Sequence, residues 1–270
     1  MPDGAPAGGA REHGFFDDHP RFLETSSTSA GVRRLNLRHR ALVEANRDVL
    51  DGARVLDIAS HDGRWSLAAL EAGAAHVTGI EARPELVAHA EQTLATYGAR
   101  QGSYRFVTGD VFAVLADADL DVDVIQCFGF LYHTLRYPEF FSLLRRLEPR
   151  HLLMDTRVAN VSGRVIQVLV NESTRQAHAA ADDYTEGTKT LVGWPSPGAL
   201  RLMLRTYGFR VEDTYDWEAV GRTVGTKLVG RYQRGERVTW RCRWDGVTAG
   251  SADDDVLDDD VLDDEGVDDA

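Results

Sequence analysis

Three acidic residues, Asp57, Glu81 and Asp110, each lie at or within a few residues of the end of a short apolar run, and a histidine, His133, comes shortly after a fourth run. Carboxylates at such positions accept hydrogen bonds from ligand hydroxyls and amines, and an imidazole can take a proton near neutral pH. Tyr132 adjoins His133, and Asp155 closes a fifth apolar run. The loop after the first run reads Ala59-Ser60-His61-Asp62-Gly63. It holds one glycine, so it lacks the G-x-G-x-x-G that lets a pyrophosphate lie against bare backbone, which argues against a dinucleotide. Glu81 sits where an acid can accept both hydroxyls of a ribose.

The elements that must position these groups are legible around Arg54–Glu81. An apolar run (Val55, Leu56, Ile58) gives way to helical spacing at Trp65, Leu67, Ala68 and Leu70, stopped by Gly73, and a second run follows from Val77 to Ile80. This is a strand–helix–strand unit, which brings the loop and the helix N-terminus to the carboxyl edge of a sheet. A helix from about Val32 to Leu50 precedes it, ended by Gly52. Pro84 opens a helix to about Tyr97, stopped by Gly98. Strands are expected at Tyr104–Val107, Asp121–Gln126 and His151–Met154, with helices from Val111 and over Pro138–Leu147. Val165–Val170 reads as an inserted strand, 173–190 as a polar lid, and Pro197–Thr206 as a helix. Phe209–Tyr215 and Arg237–Trp244 read as the last two strands. The alternation predicts an α/β fold with a doubly wound, mostly parallel sheet.

The segment Asp57-Ile58-Ala59-Ser60-His61-Asp62-Gly63 resembles the first motif of class I S-adenosylmethionine-dependent methyltransferases, roughly D-x-G-x-G-x-G, with Ala59 and His61 at two glycine positions. The resemblance continues downstream and spans about residues 32–244. It implies a Rossmann-like, seven-stranded sheet whose last strand inserts antiparallel, and S-adenosylmethionine as cofactor. The residues it places around that donor are Asp57, Ala59, Ser60, His61, Gly63, Glu81, Asp110, Val111, Cys127 and Phe128. Asp110 matches the acid that accepts the adenine amino group; read from the sequence alone, it equally caps the helix from Val111. His61 contacts the donor's carboxylate end or fills the space of a glycine.

Methyl transfer from a sulfonium is an in-line displacement that rewards alignment of donor and acceptor. A hydroxyl acceptor needs a base, and His133, just past the fourth strand, is the best-placed histidine. Tyr132 can line the acceptor pocket. Asp155 can orient His133, bind a substrate hydroxyl or join a metal site. Cys127 stands where a metal-dependent sugar methyltransferase would offer a carboxylate, so no metal is expected. Analogy with actinobacterial-type sugar and natural-product O-methyltransferases implies O-methylation of a small-molecule or saccharide hydroxyl. Gly129-Phe130-Leu131-Tyr132-His133 also resembles the corresponding turn of tRNA wobble-uridine-modifying enzymes. A non-catalytic nucleotide-sensing member is the third reading, and a nicotinamide oxidoreductase is disfavoured by the missing glycines.

Composition bounds these readings. The net charge is −13, but residues 253–270 contribute −11 with ten Asp, one Glu and no base. The remainder is near −2, which lacks the basic footprint of a nucleic-acid binder. No run of 18 apolar residues predicts a membrane span. The absence of an apolar leader and two unpaired cysteines, Cys127 and Cys242, predict a cytoplasmic protein. The expected organisation is an arm at 1–31, partly disordered, a methyltransferase domain at 32–246, and a disordered acidic tail at 247–270. Residues 15–22, aromatic and charged, form either a flap over the cleft or an arm packed on the body.

Overall fold

The computed structural model describes residues 13–25, 31–117, 119–173 and 189–246. The acidic tail and most of the polar 173–190 segment lie outside the described residues. The chain runs α1 (Phe15–Asp18), a 3-10 turn at Pro20–Leu23, α2 (Val32–Leu42), a 3-10 turn at Glu44–Asn46, α3 (Arg47–Leu50), β1 (Arg54–Ile58), α4 (Arg64–Glu71), β2 (His76–Glu81), α5 (Pro84–Thr96) and β3 (Tyr104–Thr108). It continues through α6 (Val111–Asp117), β4 (Val124–Phe128), a 3-10 turn at Leu131–His133, α7 (Tyr137–Arg145), β5 (His151–Arg157), β6 (Ile166–Ser173) and β7 (Lys189–Pro195). The last elements are α8 (Pro197–Thr206), β8 (Phe209–Thr214), α9 (Trp217–Val224), α10 (Thr226–Gln233) and β9 (Arg237–Trp244).

Seven strands form one sheet in the order β3-β2-β1-β4-β5-β9-β8. Pairing is parallel from β3 to β5, and β9 lies antiparallel between β5 and β8. This is the doubly wound architecture with an inserted antiparallel last strand that the sequence implied. The period-2 alternation of the strands divides the core between the two faces of the sheet. Leu56, Ile58, Ile125, Cys127, Leu152 and Met154 pack with Phe112, Phe140, Phe141, Leu200 and Leu204, so α6, α7 and α8 cover one face. Val55, Val77, Val124 and Leu153 pack with Phe16, Phe22, Leu42, Leu50, Trp65 and Leu67 on the other. Asp57, Gln126 and Asp155 share the alternation of this second face. Each is therefore a polar group placed under α2, α4 and the N-terminal segment.

Four expectations need correction. The helix expected over Val32–Leu50 ends at Leu42, because the Asn46 side chain donates to the carbonyls of Ala41 and Leu42 at 3.3 and 3.1 Å and draws the chain into a tight turn. The fourth strand is Val124–Phe128, displaced toward Gly129. The inserted strand does not stand alone: β6 pairs antiparallel with β7, which the sequence reading had divided between the lid and the lead-in to α8. Helices α9 and α10 were not anticipated. They pack Trp217, Val229 and Tyr232 onto Leu37 and Ala41 of α2, with the Trp217 and Tyr232 rings stacked at 3.8 Å. The described part of the aromatic segment is an arm packed on the body, since Phe16 and Phe22 are fully buried. Among the described residues no helix is long and apolar enough to cross a membrane.

Candidate functional site

The β1–α4 loop keeps its backbone shape despite its missing glycines. Ala59 and His61 adopt φ of 52° and 53°, the left-handed region that glycine prefers, and Gly63 follows at 77°. Gly63 is doubly required. A Cβ there would stand 3.0 Å from Ala90 Cβ, Leu94 Cδ1 and Phe106 Cζ, atoms of α5 and β3. Beneath the loop, Asp57 is buried and accepts a hydrogen bond from Ser66 Oγ at 2.6 Å. Burial, with Asp62 and Glu81 nearby, pushes its carboxyl up to about 7 against the pull of Ser66. Asp62 is also buried but is held ionised: the Arg64 guanidinium and His61 outweigh its desolvation. Arg64 Nη2 lies 2.5 Å from Asp62 Oδ2 and donates to the Phe22 carbonyl at 3.1 Å. Thr25 Oγ1 donates to the same carboxylate, so the N-terminal arm is tied to the loop.

At the end of β2, Glu81 is 4% exposed, and each of its carboxylate oxygens is fixed by one backbone N–H. His61 N donates to Oε2 and Arg83 N to Oε1, both at 3.0 Å. Each oxygen can still accept a second hydrogen bond. The parallel register sets Glu81 beside Thr108, so Gly109 and Asp110 emerge on the same edge. Asp110 does cap α6: its Oδ1 accepts from Phe112 N and Ala113 N at 3.0 Å. Those bonds occupy one oxygen and leave Oδ2 for another donor. Arg136 lies 3.7 Å over the Phe112 ring and 4.0 Å from Asp110 Oδ1.

The other half of the edge is built on β4, β5 and β9. Phe128 pairs with Asp155, and Gly129 N donates to the Asp155 carbonyl at 2.8 Å, anchoring the turn that carries Tyr132 and His133. His133 N donates to Phe130 O at 2.8 Å, and its half-buried ring stands 4.2 Å from that of Tyr132. Asp155 is fully buried. Its Oδ1 accepts from Arg38 Nη2 at 2.9 Å and Arg237 Nε at 2.7 Å; its Oδ2 accepts from Tyr232 Oη at 2.9 Å and Thr239 Oγ1 at 2.8 Å. Burial opposes its ionisation, but Arg237 and Arg38 hold the carboxyl down to about 2. The Arg237 and Arg157 guanidinium groups lie 5.4 and 5.1 Å from the Tyr132 ring, and Arg157 lies 5.2 Å from Trp194.

A methyltransferase-domain family profile matches residues 55–149, which span β1 to the end of the α7 region. Residues 55–149 thus read as a methyltransferase domain, in line with the resemblance of the Asp57–Gly63 motif to the class I S-adenosylmethionine-dependent superfamily. Solved methyltransferases share its fold. One is an S-adenosylmethionine-dependent methyltransferase from Mesorhizobium loti (TM-score 0.53, 15% identity, 78% of this chain and 97% of that one). Another is magnesium protoporphyrin IX methyltransferase from Synechocystis PCC 6803 with bound S-adenosylmethionine (0.53, 17%, 84% and 90%). A third is the N-terminal domain of EvdMO1 with bound S-adenosylhomocysteine (0.50, 18%, 82% and 82%). No curated protein matches the chain in sequence.

The structure puts the expected methyltransferase residues on one sheet edge but gives them unequal access. Ala59, Ser60, His61, Gly63 and Glu81 surround the first loop. The Cys127 thiol and the Val111 side chain lie in the hydrophobic core, and burial pushes that thiol up to about 12; at Cys127 only the backbone faces the edge. Phe128 is half-buried against Trp65, with ring centroids 5.8 Å apart. Asp155 corrects the expectation of an acid reaching toward substrate: four side chains saturate it, and it positions Arg38 and Arg237. Sequence reasoning missed Arg34, Arg38, Tyr232 and Arg237. The Arg34/Arg38 spacing on α2 was the available signal, since residues four apart share a helix face.

Proposed function

We propose that this methyltransferase methylates a hydroxyl of a small-molecule or saccharide acceptor, with His133 as general base. The observation that carries the proposal is the Leu131–His133 turn, hung from Gly129 at the edge that also bears Glu81 and Asp110. S-adenosylmethionine, when bound, supplies an electrophilic methyl group. The chain's own residues do the rest. Glu81, preset by two backbone N–H groups, accepts from the ribose hydroxyls. Asp110 Oδ2 accepts from the adenine amino group while Oδ1 caps α6. The left-handed turn Ala59-Ser60-His61 gives the donor a shaped backbone to lie against. His133 takes the proton that a hydroxyl must shed as the new bond forms, and Tyr132 packs beside the acceptor.

The experiment has two arms. Calorimetry with S-adenosylhomocysteine tests the donor site without any acceptor. A pH–rate profile of wild type and His133→Ala then tests the base, once an acceptor is identified. Loss of a general base typically lowers turnover by about 10²–10⁴-fold, with donor affinity retained. The pH profiles of wild type and variant should differ in shape, because the variant lacks the proton-accepting side chain. Near-normal turnover by His133→Ala would remove His133 from the mechanism.

A further inference from the structure

The Asp155 cluster is out of electrostatic balance. Arg38 and Arg237 both bind this one carboxylate, and Arg34 stands one helical turn before Arg38 on α2. Arg34 is half-buried and has no carboxylate partner among the described residues. The charged groups acting on it are Arg38, Arg237 and Arg231; together with its burial they lower its proton affinity, and Tyr232 opposes them. Arg38 Nε is shut off from solvent and makes no hydrogen bond. Two guanidinium groups therefore bind one acid, and Arg34 adds a third positive charge beside them. Two of them, Arg38 and Arg237, flank Trp65 and Tyr132 at 5.2 and 5.4 Å. Uncompensated charge in a partly desolvated place is unfavourable until a counter-ion arrives, and the planar guanidinium fork matches carboxylate and phosphate oxygens.

We propose that the acceptor of this methyltransferase carries an oxyanion, a carboxylate or a phosphate, held by Arg34 and Arg38 with Arg237 behind them. The inference rests on the acceptor-side assignment made above and narrows its substrate class. Asp155 and Tyr232 hold the arginines in place. The bound oxyanion neutralises the excess charge and turns the acceptor's hydroxyl toward His133. The aromatic rings of Tyr132 and Trp65 provide an apolar wall beside it.

The test uses the full chain saturated with S-adenosylhomocysteine, so that the donor's own carboxylate is already in place. Benzoate and phenyl phosphate are titrated as oxyanion probes, with benzamide and benzyl alcohol as neutral counterparts, by calorimetry and tryptophan fluorescence. At least one anion should bind tenfold or more tightly than its neutral counterpart, and added salt should weaken it. Arg34→Gln, which breaks no ion pair, should lower that affinity about tenfold at an unchanged melting temperature; Arg38→Gln should do the same if it folds. Equal binding of anions and neutral probes, or no binding of either, would overturn the proposal. So would Arg34→Gln and Arg38→Gln proteins that bind the anion normally but lose S-adenosylhomocysteine, because the arginines would then serve the donor. Failure of wild type to bind S-adenosylhomocysteine would instead refute the donor-site reading and is scored separately.

Discussion

Replacing Ala59 by glycine should stabilise the protein, whereas replacing Gly63 by alanine should damage it, although both residues have positive φ in the same loop. A left-handed conformation costs an L-residue about 1–2 kcal/mol, and Ala59 adopts it at φ 52°. Glycine removes that cost but loses roughly 0.5–1 kcal/mol more chain entropy on folding. The net gain for Ala59→Gly is then about 0.5–1 kcal/mol, a rise of about 1–4 °C in Tm for a domain of this size. Gly63→Ala meets the reverse backbone term at φ 77° and places a methyl 3.0 Å from three side-chain atoms of Ala90, Leu94 and Phe106. Overpacking adds about 1–3 kcal/mol, so a total loss of about 2–4 kcal/mol is expected. His61 is a poorer probe, since its Nδ1 lies 3.5 Å from Asp62 Oδ1 and glycine would remove that contact too. The assay is urea unfolding of the two single variants and the double variant. Shifts of the same sign would refute the claim that the loop holds a glycine-type turn in residues that are not glycine.

Glu81→Ala should weaken S-adenosylhomocysteine binding about tenfold or more in calorimetry, because hydrogen bonds to a charged acceptor are worth roughly 1.5–3 kcal/mol each; unchanged binding by folded protein would remove Glu81 from the donor site. Asp57, raised from 3.8 to about 7 by burial, contributes stability that is complete below pH 4 and lost as pH rises through 7. Three pKa units correspond to about 4 kcal/mol as an upper bound, so Asp57→Asn should flatten the fall in unfolding free energy between pH 4 and 7. Asp155 has the opposite sign, its contribution being lost as pH falls from 4 toward 2, and so leaves that window clear. Asp155→Ala strands the buried Arg237 and the half-buried Arg38 and should cost about 3–5 kcal/mol in unfolding measurements; a near-neutral result would show that the arginines find other partners.

The sheet, and the placing of Glu81 and Asp110 on its carboxyl edge, were largely legible because their signals are local. A strand shows as an apolar run, a helix as a 3.6 period closed by glycine, and Glu81 as an acid where a run stops. The helices Pro84–Thr96 and Pro197–Thr206 announced themselves through proline at the start, and Ser196 accepts from Ala199 N as an N-cap should. Asp110 shows the limit of this approach. The sequence offered two roles for one carboxylate, and the structure shows that capping uses only one of its oxygens. Helices α9 and α10, each eight residues long, were not read, whereas α4, of the same length, was read because its glycine-stopped helical spacing lies between two apolar runs. In β6 the apolar positions Ile166, Val168 and Val170 are exposed, at 41, 55 and 67%, as is Gln167 between them, so alternation there does not mark a buried face.

The arginine-rich half was illegible for a different reason. Its hydrogen bonds join residues 77 to 117 positions apart: Tyr232 to Asp155, Arg237 to Asp155 and Arg38 to Asp155. In a chain whose basic residues are nearly all arginine, no spacing distinguishes these from solvated ones. They meet only because β9 runs antiparallel beside β5, returning Arg237 and Thr239 to the carboxyl edge, and because α9 and α10 press Tyr232 and α2 against it. The two halves are thus built differently. The donor loop depends on backbone angles within seven residues and on contacts to α5 and β3. The Asp155 cluster, proposed above as the acceptor side, is assembled from α2, β5, α10 and β9, none of which supplies that loop. On the proposal above, substitutions at Arg34 or Arg38 should alter which acceptor binds without moving the backbone of the Ala59–Gly63 loop. For the same reason, the variant that reports on the acceptor is sought on α2, far in sequence from the motif that identified the family.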